Sequence, residues 1–194
     1  PFPKIRRAGH SRPPEGPPGL SVSALRLIFC IGYVWQTCTM QNFYSIYSHG
    51  FARIAACTLP VAMGDPRENA RRTAELAREC AEKGAAVAVF PELGLTGYSI
   101  EDLLLQDVLL DAALEALEDL RAASVAIASV IVVGAPLVHR GRVFNCAAVI
   151  HRGHVLGVVP KSYLPDYREF YEKRHFASGE ECAGERIALP GVTV

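Results

Sequence analysis

Between two short apolar runs, FARIAACTL (Phe51–Leu59) and AAVAVF (Ala85–Phe90), stands GDPRENARRTAELARECAEKG, which carries helix punctuation at both ends. Asp65 is placed to cap the first free amides, and Pro66 suits the first helical position, where a missing N–H costs nothing. Glu68 completes a capping-box-like start, and Gly84 supplies the stop. Ala70, Ala74, Ala77, Cys80 and Ala81 recur at helical spacing. A strand, a helix and a strand in this order form a β-α-β crossover.

The same alternation continues. SIEDLLLQDVLLDAALEALEDLRAA predicts a second helix from Ser99 to Ala122 with a wide leucine face, and SVIVVGAP (Ser129–Pro136) a third strand. Then the pattern changes. HRGR (His139–Arg142) and HRGH (His151–His154) are glycine turns bounding the apolar strands Val143–Ile150 and Val155–Val159. A β-α-β-α-β start passing into an antiparallel meander predicts an α/β fold: a mixed sheet, helices on one face and a second layer opposite.

With 194 residues, half of them hydrophobic, the chain can bury one substantial core. Zero formal charge and a pI of about 7.4 give no electrostatic case for nucleic acid. Cys30, Cys38, Cys57, Cys80, Cys146 and Cys182 form no CxxC pair, which argues against a disulfide framework or zinc site and for a reducing compartment, the cytoplasm. There is no GxGxxG and no GxxxxGK[ST]; Gly94 and Gly97 have the wrong spacing for either. His151 and His154 flank a hairpin turn without further ligands in sequence, so no metal is assigned to them.

Residues 1–39 differ from the rest. They carry Lys4, Arg6, Arg7, Arg12 and Arg26 against Glu15 alone, and begin with a proline-rich stretch expected to be extended or disordered. The apolar stretch Leu20–Trp35 is too short, and too interrupted by Arg26, to span a bilayer comfortably. Residues 1–39 therefore read as a non-native leader, with Met40 as the natural start. Phe43, Tyr44 and Tyr47, just beyond it, read as a packing arm or a subunit contact.

Two strand ends carry the chemistry. AAVAVF runs into PELGLTGYSIED, placing Glu92 just past Pro91, and VLGVV (Val155–Val159) runs into PKSYLPDYREFYEKRHF, placing Lys161 just past Pro160. Ligand-facing groups of open sheets gather at strand carboxyl ends. A carboxylate and an ammonium there make a base and an oxyanion stabiliser; read singly, each could equally be a surface residue.

VFPELGLTGYSIEDLL and GVVPKSYLPDYREFYEKRHF resemble the first two catalytic motifs of the nitrilase, or carbon–nitrogen hydrolase, superfamily. NFYSIYSHGFARIAACT, GYSIEDLLLQD and KSYLPDYREFYE resemble, within it, the glutaminase domains of glutamine-dependent NAD+ synthetases. The resemblance runs from about Met40 to the end of the chain. It implies a nitrilase-like α-β-β-α sandwich, here incomplete at its C-terminal end, with residues 40–194 a partial glutaminase domain and the synthetase domain absent.

The resemblance also implies a Glu-Lys-Cys triad. Glu92 matches the general base and Lys161 the lysine that meets the tetrahedral oxyanion. Tyr167 matches a tyrosine of the glutamine pocket, and Tyr98 is a further candidate to face the site. Glu172 matches an auxiliary carboxylate, with Glu169 the competing choice. The family's nucleophilic cysteine lies on a later strand-to-turn elbow, beyond Val194. Cys57, Cys80 and Cys146 read as core, and Cys182 follows Glu180 and Glu181, which should raise its thiol pKa. The implied activity is release of ammonia from glutamine for ATP-dependent amidation of deamido-NAD+. ATP and Mg2+ belong to the absent domain, the segment alone is inactive, and the parent is a homo-oligomer. Rival expectations are a stand-alone nitrilase-type amidase or carbamoylase, and a non-catalytic remnant.

Overall fold

The structure, a computed structural model, describes residues 43–189 and 192–193. The expectations for residues 1–39, and for Cys30 and Cys38, lie outside the described residues. The chain divides into two compact units, Pro1–Phe51 and Ala52–Val194. In the first, a 3-10 turn at Ile46–His49 is closed by Gly50 in the left-handed region, and His49 hydrogen-bonds the Phe43 carbonyl.

The second unit is built on a five-stranded sheet in sequence order. Its elements are β1 (Ile54–Ala56), α1 (Pro66–Glu82), β2 (Val87–Val89), α2 (Asp107–Ala123), β3 (Val130–His139), β4 (Arg142–His151) and β5 (His154–Pro160). β1, β2 and β3 are parallel. β4 and β5 add antiparallel. A two-stranded pair, β6 (Ala188–Leu189) with β7 (Val192–Thr193), stands apart. The α/β class and the switch from crossovers to meander are as the sequence predicts.

Local chemistry explains the helix ends. The Asp65 side chain accepts from the Glu68 amide, and Pro66 is the first helical residue. Gly84 leaves the helix at φ 74. Because β1, β2 and β3 follow in order, right-handed crossovers bring both helices to one face of the sheet. There Ala70, Ala74 and Ala77 of α1 meet Leu117 and Leu120 of α2 in the same core as Ile131, Val133 and Ala135. Fully buried leucines such as Leu120 each contribute about 2 kcal/mol. Among the described residues the opposite face lacks a second sandwich layer, and Val89 and Val159 are exposed there.

One helix boundary needs correction. Ser99 does not begin α2; Glu101–Leu105 form a 3-10 turn, and the α-helix starts at Asp107. Glu101 sits at φ 53, outside the helical basin. Tertiary ties hold it there, Tyr171 donating to Glu101 and Arg174 gripping Asp102 through two nitrogens at 2.8 Å.

Candidate active site

β3 and β4 form a long ribbon flanked by two shorter strands. Val89 of β2 is level with Val132 of β3, and Pro160 of β5 pairs with Cys146, itself opposite Ala135. Two antiparallel steps return β5 to the direction of β2 and β3, so Glu92 and Lys161 leave the sheet at the same end.

On the β2 side, the chain turns sharply after Phe90, whose amide bonds the Val132 carbonyl. Leu93 takes a left-handed φ of 49, and the Gly94 and Gly97 amides close the turn on Pro91 and Leu93. The turn rides directly over Gly134. A Cβ at that glycine would stand 2.3 Å from the Leu93 nitrogen and 2.7 Å from the Pro91 oxygen. Behind the turn, fully buried Asn69 donates to the Leu95 and Ala62 carbonyls and accepts from the Ala62 amide. On the β5 side, the Lys161 amide donates to the Asn145 carbonyl at 2.8 Å, and the Lys161 carbonyl accepts from Gly179 at 2.9 Å. Gly179 also lies against Pro160, too close to admit a Cβ.

These two frames bring five side chains to one point. The Lys161 ammonium donates to Glu92 Oε1 at 2.8 Å and to Glu172 Oε1 at 2.9 Å. The Tyr98 hydroxyl donates to the same Glu172 oxygen at 2.6 Å. The Asn145 amide donates to Glu92 Oε1 at 2.5 Å. Glu172 is 5% exposed, Lys161 29% and Glu92 43%, so the cluster opens to solvent on the Glu92 side.

Burial alone would favour neutral Lys161, but hydrogen bonds from its ammonium to Glu92 and Glu172 prevail and hold its pKa above the ordinary lysine value. It is a fixed cation, suited to meet negative charge and unsuited to take a proton. Burial, then the bond to Glu172, pushes the Tyr98 hydroxyl up, keeping it a donor. Glu172 Oε2 is buried without a hydrogen-bond partner among the described residues. Leaving such an acceptor open costs about 1–3 kcal/mol.

Of the two carboxylates weighed after Lys161, Glu172 is the one bonded to it; Glu169 lines the same open cleft as Glu172, with Tyr98, Tyr171 and His175, and makes no hydrogen bond to the cluster among the described residues. Tyr167 is exposed, its ring edge-on to Phe170 at 5.9 Å, and it makes no hydrogen bond to the cluster among the described residues. Cys57, Cys80 and Cys146 are buried free thiols. Burial pushes Cys146 up to about 12. Cys182 is also raised, first by burial and then by Glu185 and Glu181. Neither Glu180 nor a charge effect alone accounts for it. No group of three or more metal-binding side chains occurs among the described residues, and no helix among them is long and apolar enough to cross a membrane. Asn145 is the residue that the sequence reading missed. Its signal was a polar side chain inside the otherwise apolar run VFNCAAVI.

A carboxylate and a fixed ammonium stand in contact at the end of an α/β sheet, and the carbon-nitrogen hydrolase family model matches residues 53–192. The chain belongs to that family. It is 62% identical over 156 residues to the glutamine-dependent NAD(+) synthetase of Mycobacterium tuberculosis, covering 79% of this chain and 22% of that protein. Among solved structures it resembles the glutamine-dependent NAD(+) synthetase of Cytophaga hutchinsonii, with a TM-score of 0.61 and 26% identity over 66% of this chain and 22% of that one. It also resembles the Acinetobacter baumannii enzyme in complex with ADP, with a TM-score of 0.58 and 29% identity over 72% of this chain and 26% of that one. The chain thus spans about a fifth of the length of the relatives it matches.

Proposed function

We propose that this chain is the glutamine-hydrolysing part of a glutamine-dependent NAD+ synthetase. The observation that carries the reading is the Lys161 ammonium held between Glu92 and Glu172 where two strands end. A cation fixed there can meet an oxyanion, and the half-exposed carboxylate beside it can move protons. The named relatives supply the substrate class.

Glu92 takes the proton of a cysteine thiol, and the thiolate attacks the side-chain amide carbon of glutamine. Lys161 neutralises the oxyanion of the tetrahedral adduct, while Glu172 and Tyr98 fix the ammonium. Glu92 returns its proton to the departing nitrogen as ammonia leaves. It then takes a proton from water, whose hydroxide releases glutamate and restores the thiol. The nucleophile is assigned to a cysteine other than the four described thiols, which are buried or raised in pKa and of which none is bonded to the cluster; by the family resemblance it lies on a later strand-to-turn elbow. On this reading the segment alone does not turn over. Tyr167 belongs to the glutamine pocket, and ATP with Mg2+ acts on deamido-NAD+ in a separate domain.

The test is Glu92→Gln in the full-length protein. Glutamine-supported NAD+ synthesis should be lost while free ammonia still supports it. Loss of both together, or of neither, would overturn the reading.

A further inference from the structure

Glu92 has two oxygens, and they are not equivalent. Oε1 receives both Lys161 Nζ at 2.8 Å and Asn145 Nδ2 at 2.5 Å. Among the described residues, no side chain donates to Oε2. A carboxylate oxygen has two in-plane lone pairs, so two donors fill Oε1. The amide must turn its NH2 to Glu92, since its own oxygen would face a second acceptor. Asn145 is itself rigid. It is 4% exposed, lies within β4 opposite Pro136 of β3, and its backbone carbonyl accepts the Lys161 amide. One residue therefore holds the base by its side chain and the oxyanion lysine by its main chain.

We infer that Asn145 is a positioning residue which, with Lys161, occupies Glu92 Oε1, fixes the carboxylate plane and leaves Oε2 as the proton-accepting atom. Without the amide, Lys161 alone holds one corner of the carboxylate, which can then rotate about its Cγ–Cδ bond and present either oxygen. Glutamine need not touch Asn145, so its loss acts on the proton-transfer steps and spares binding.

The inference rests on the glutaminase reading, and the experiment separates the two. In the full-length protein, glutamine hydrolysis is measured for wild type, Glu92→Gln, Asn145→Ala and Asn145→Asp, with thermal midpoints and ammonia-supported synthesis as checks on folding. Hydrogen bonds to charged groups are worth enough that kcat should fall on the order of 10- to 100-fold in Asn145→Ala, with KM within about twofold. Asn145→Asp keeps the size but puts an acceptor against Oε1, so it should fall further than Asn145→Ala. A residue that merely fills space predicts the reverse order, because Asp is nearly isosteric with Asn. If Asn145→Asp does not fold, the kcat-against-KM split of Asn145→Ala decides. Wild-type-like kcat in either variant, or a loss confined to KM, would overturn the inference while leaving the glutaminase reading intact. Absence of glutamine hydrolysis in wild type would overturn both.

Discussion

Adding a single methyl group at Gly134 should disable the proposed base without touching its carboxylate. The new Cβ would sit 2.3 Å from the Leu93 nitrogen, whereas ordinary contact begins near 3.4 Å, so the turn must lift by about 1.1 Å. The obstacles are backbone atoms of Pro91, Glu92 and Leu93, which cannot swing aside as a side chain can. The turn is also tied down at that point, the Leu95 amide donating to the Gly134 carbonyl. A lift of this size directed away from Lys161 carries Glu92 from 2.8 Å to beyond hydrogen-bond reach. Misplacement of a catalytic group by about 1 Å costs on the order of 100-fold in rate, and overpacking costs about 1–3 kcal/mol of stability. The assay is glutamine-supported against ammonia-supported synthesis by full-length Gly134→Ala, with its denaturation midpoint. Gly157→Ala is the control, since a Cβ there meets nothing within 4 Å. A folded Gly134→Ala protein with glutamine-supported activity within twofold of wild type would refute the reasoning.

Other perturbations follow from the same frame. Asn69→Ala strips three hydrogen bonds from a fully buried site behind the Glu92 turn, and urea denaturation should register a loss of about 2–4 kcal/mol; a loss under 0.5 kcal/mol would contradict this. Hydrogen bonds from Arg174 and His175 hold the Asp102 carboxyl down to about 2. Its stabilisation is therefore complete above the unfolded value near 4 and disappears as pH falls toward 2. Asp102→Asn should flatten denaturation midpoints measured across that window, with salt weakening the difference because the pair is exposed; parallel curves would exclude the effect. Burial, with Cys80 alongside, pushes the Cys57 thiol up to about 11, and burial pushes Cys146 up to about 12. Both should resist iodoacetamide at pH 8 until the protein unfolds, as read by mass spectrometry of the peptides; prompt labelling of either in the native state would count against it.

The elements legible in sequence are those whose determinants are local. Asp65, Pro66 and Gly84 mark the limits of α1 within a few residues of where they act. Arg140–Gly141 and Arg152–Gly153, all at positive φ, mark the two hairpins as the HRG repeats indicated. The 3-10 turn was illegible for the opposite reason. Its leucines keep helical spacing, and what pulls Glu101 and Asp102 from the helix is Tyr171 and Arg174, some 70 residues away. Glu92 and Lys161 could be suspected because each follows a strand and a proline, but their meeting could not, because it depends on the turn passing over Gly134. Asn145 has no motif around it. Within an apolar strand it reads as a packing fault until Glu92, 53 residues earlier, is seen against it.

The direction of β5 carries a consequence for how such a domain can vary. Lys161 meets Glu92 because the chain reverses an even number of times between β3 and β5. One strand more or fewer in the meander would deliver the lysine to the far end of the sheet, about 20 Å away for a strand of this length. Growth here is governed by parity: the hairpin turns can lengthen and strands can be gained in twos, but a single added strand would separate the acid from its counter-ion while leaving every residue of both motifs unchanged.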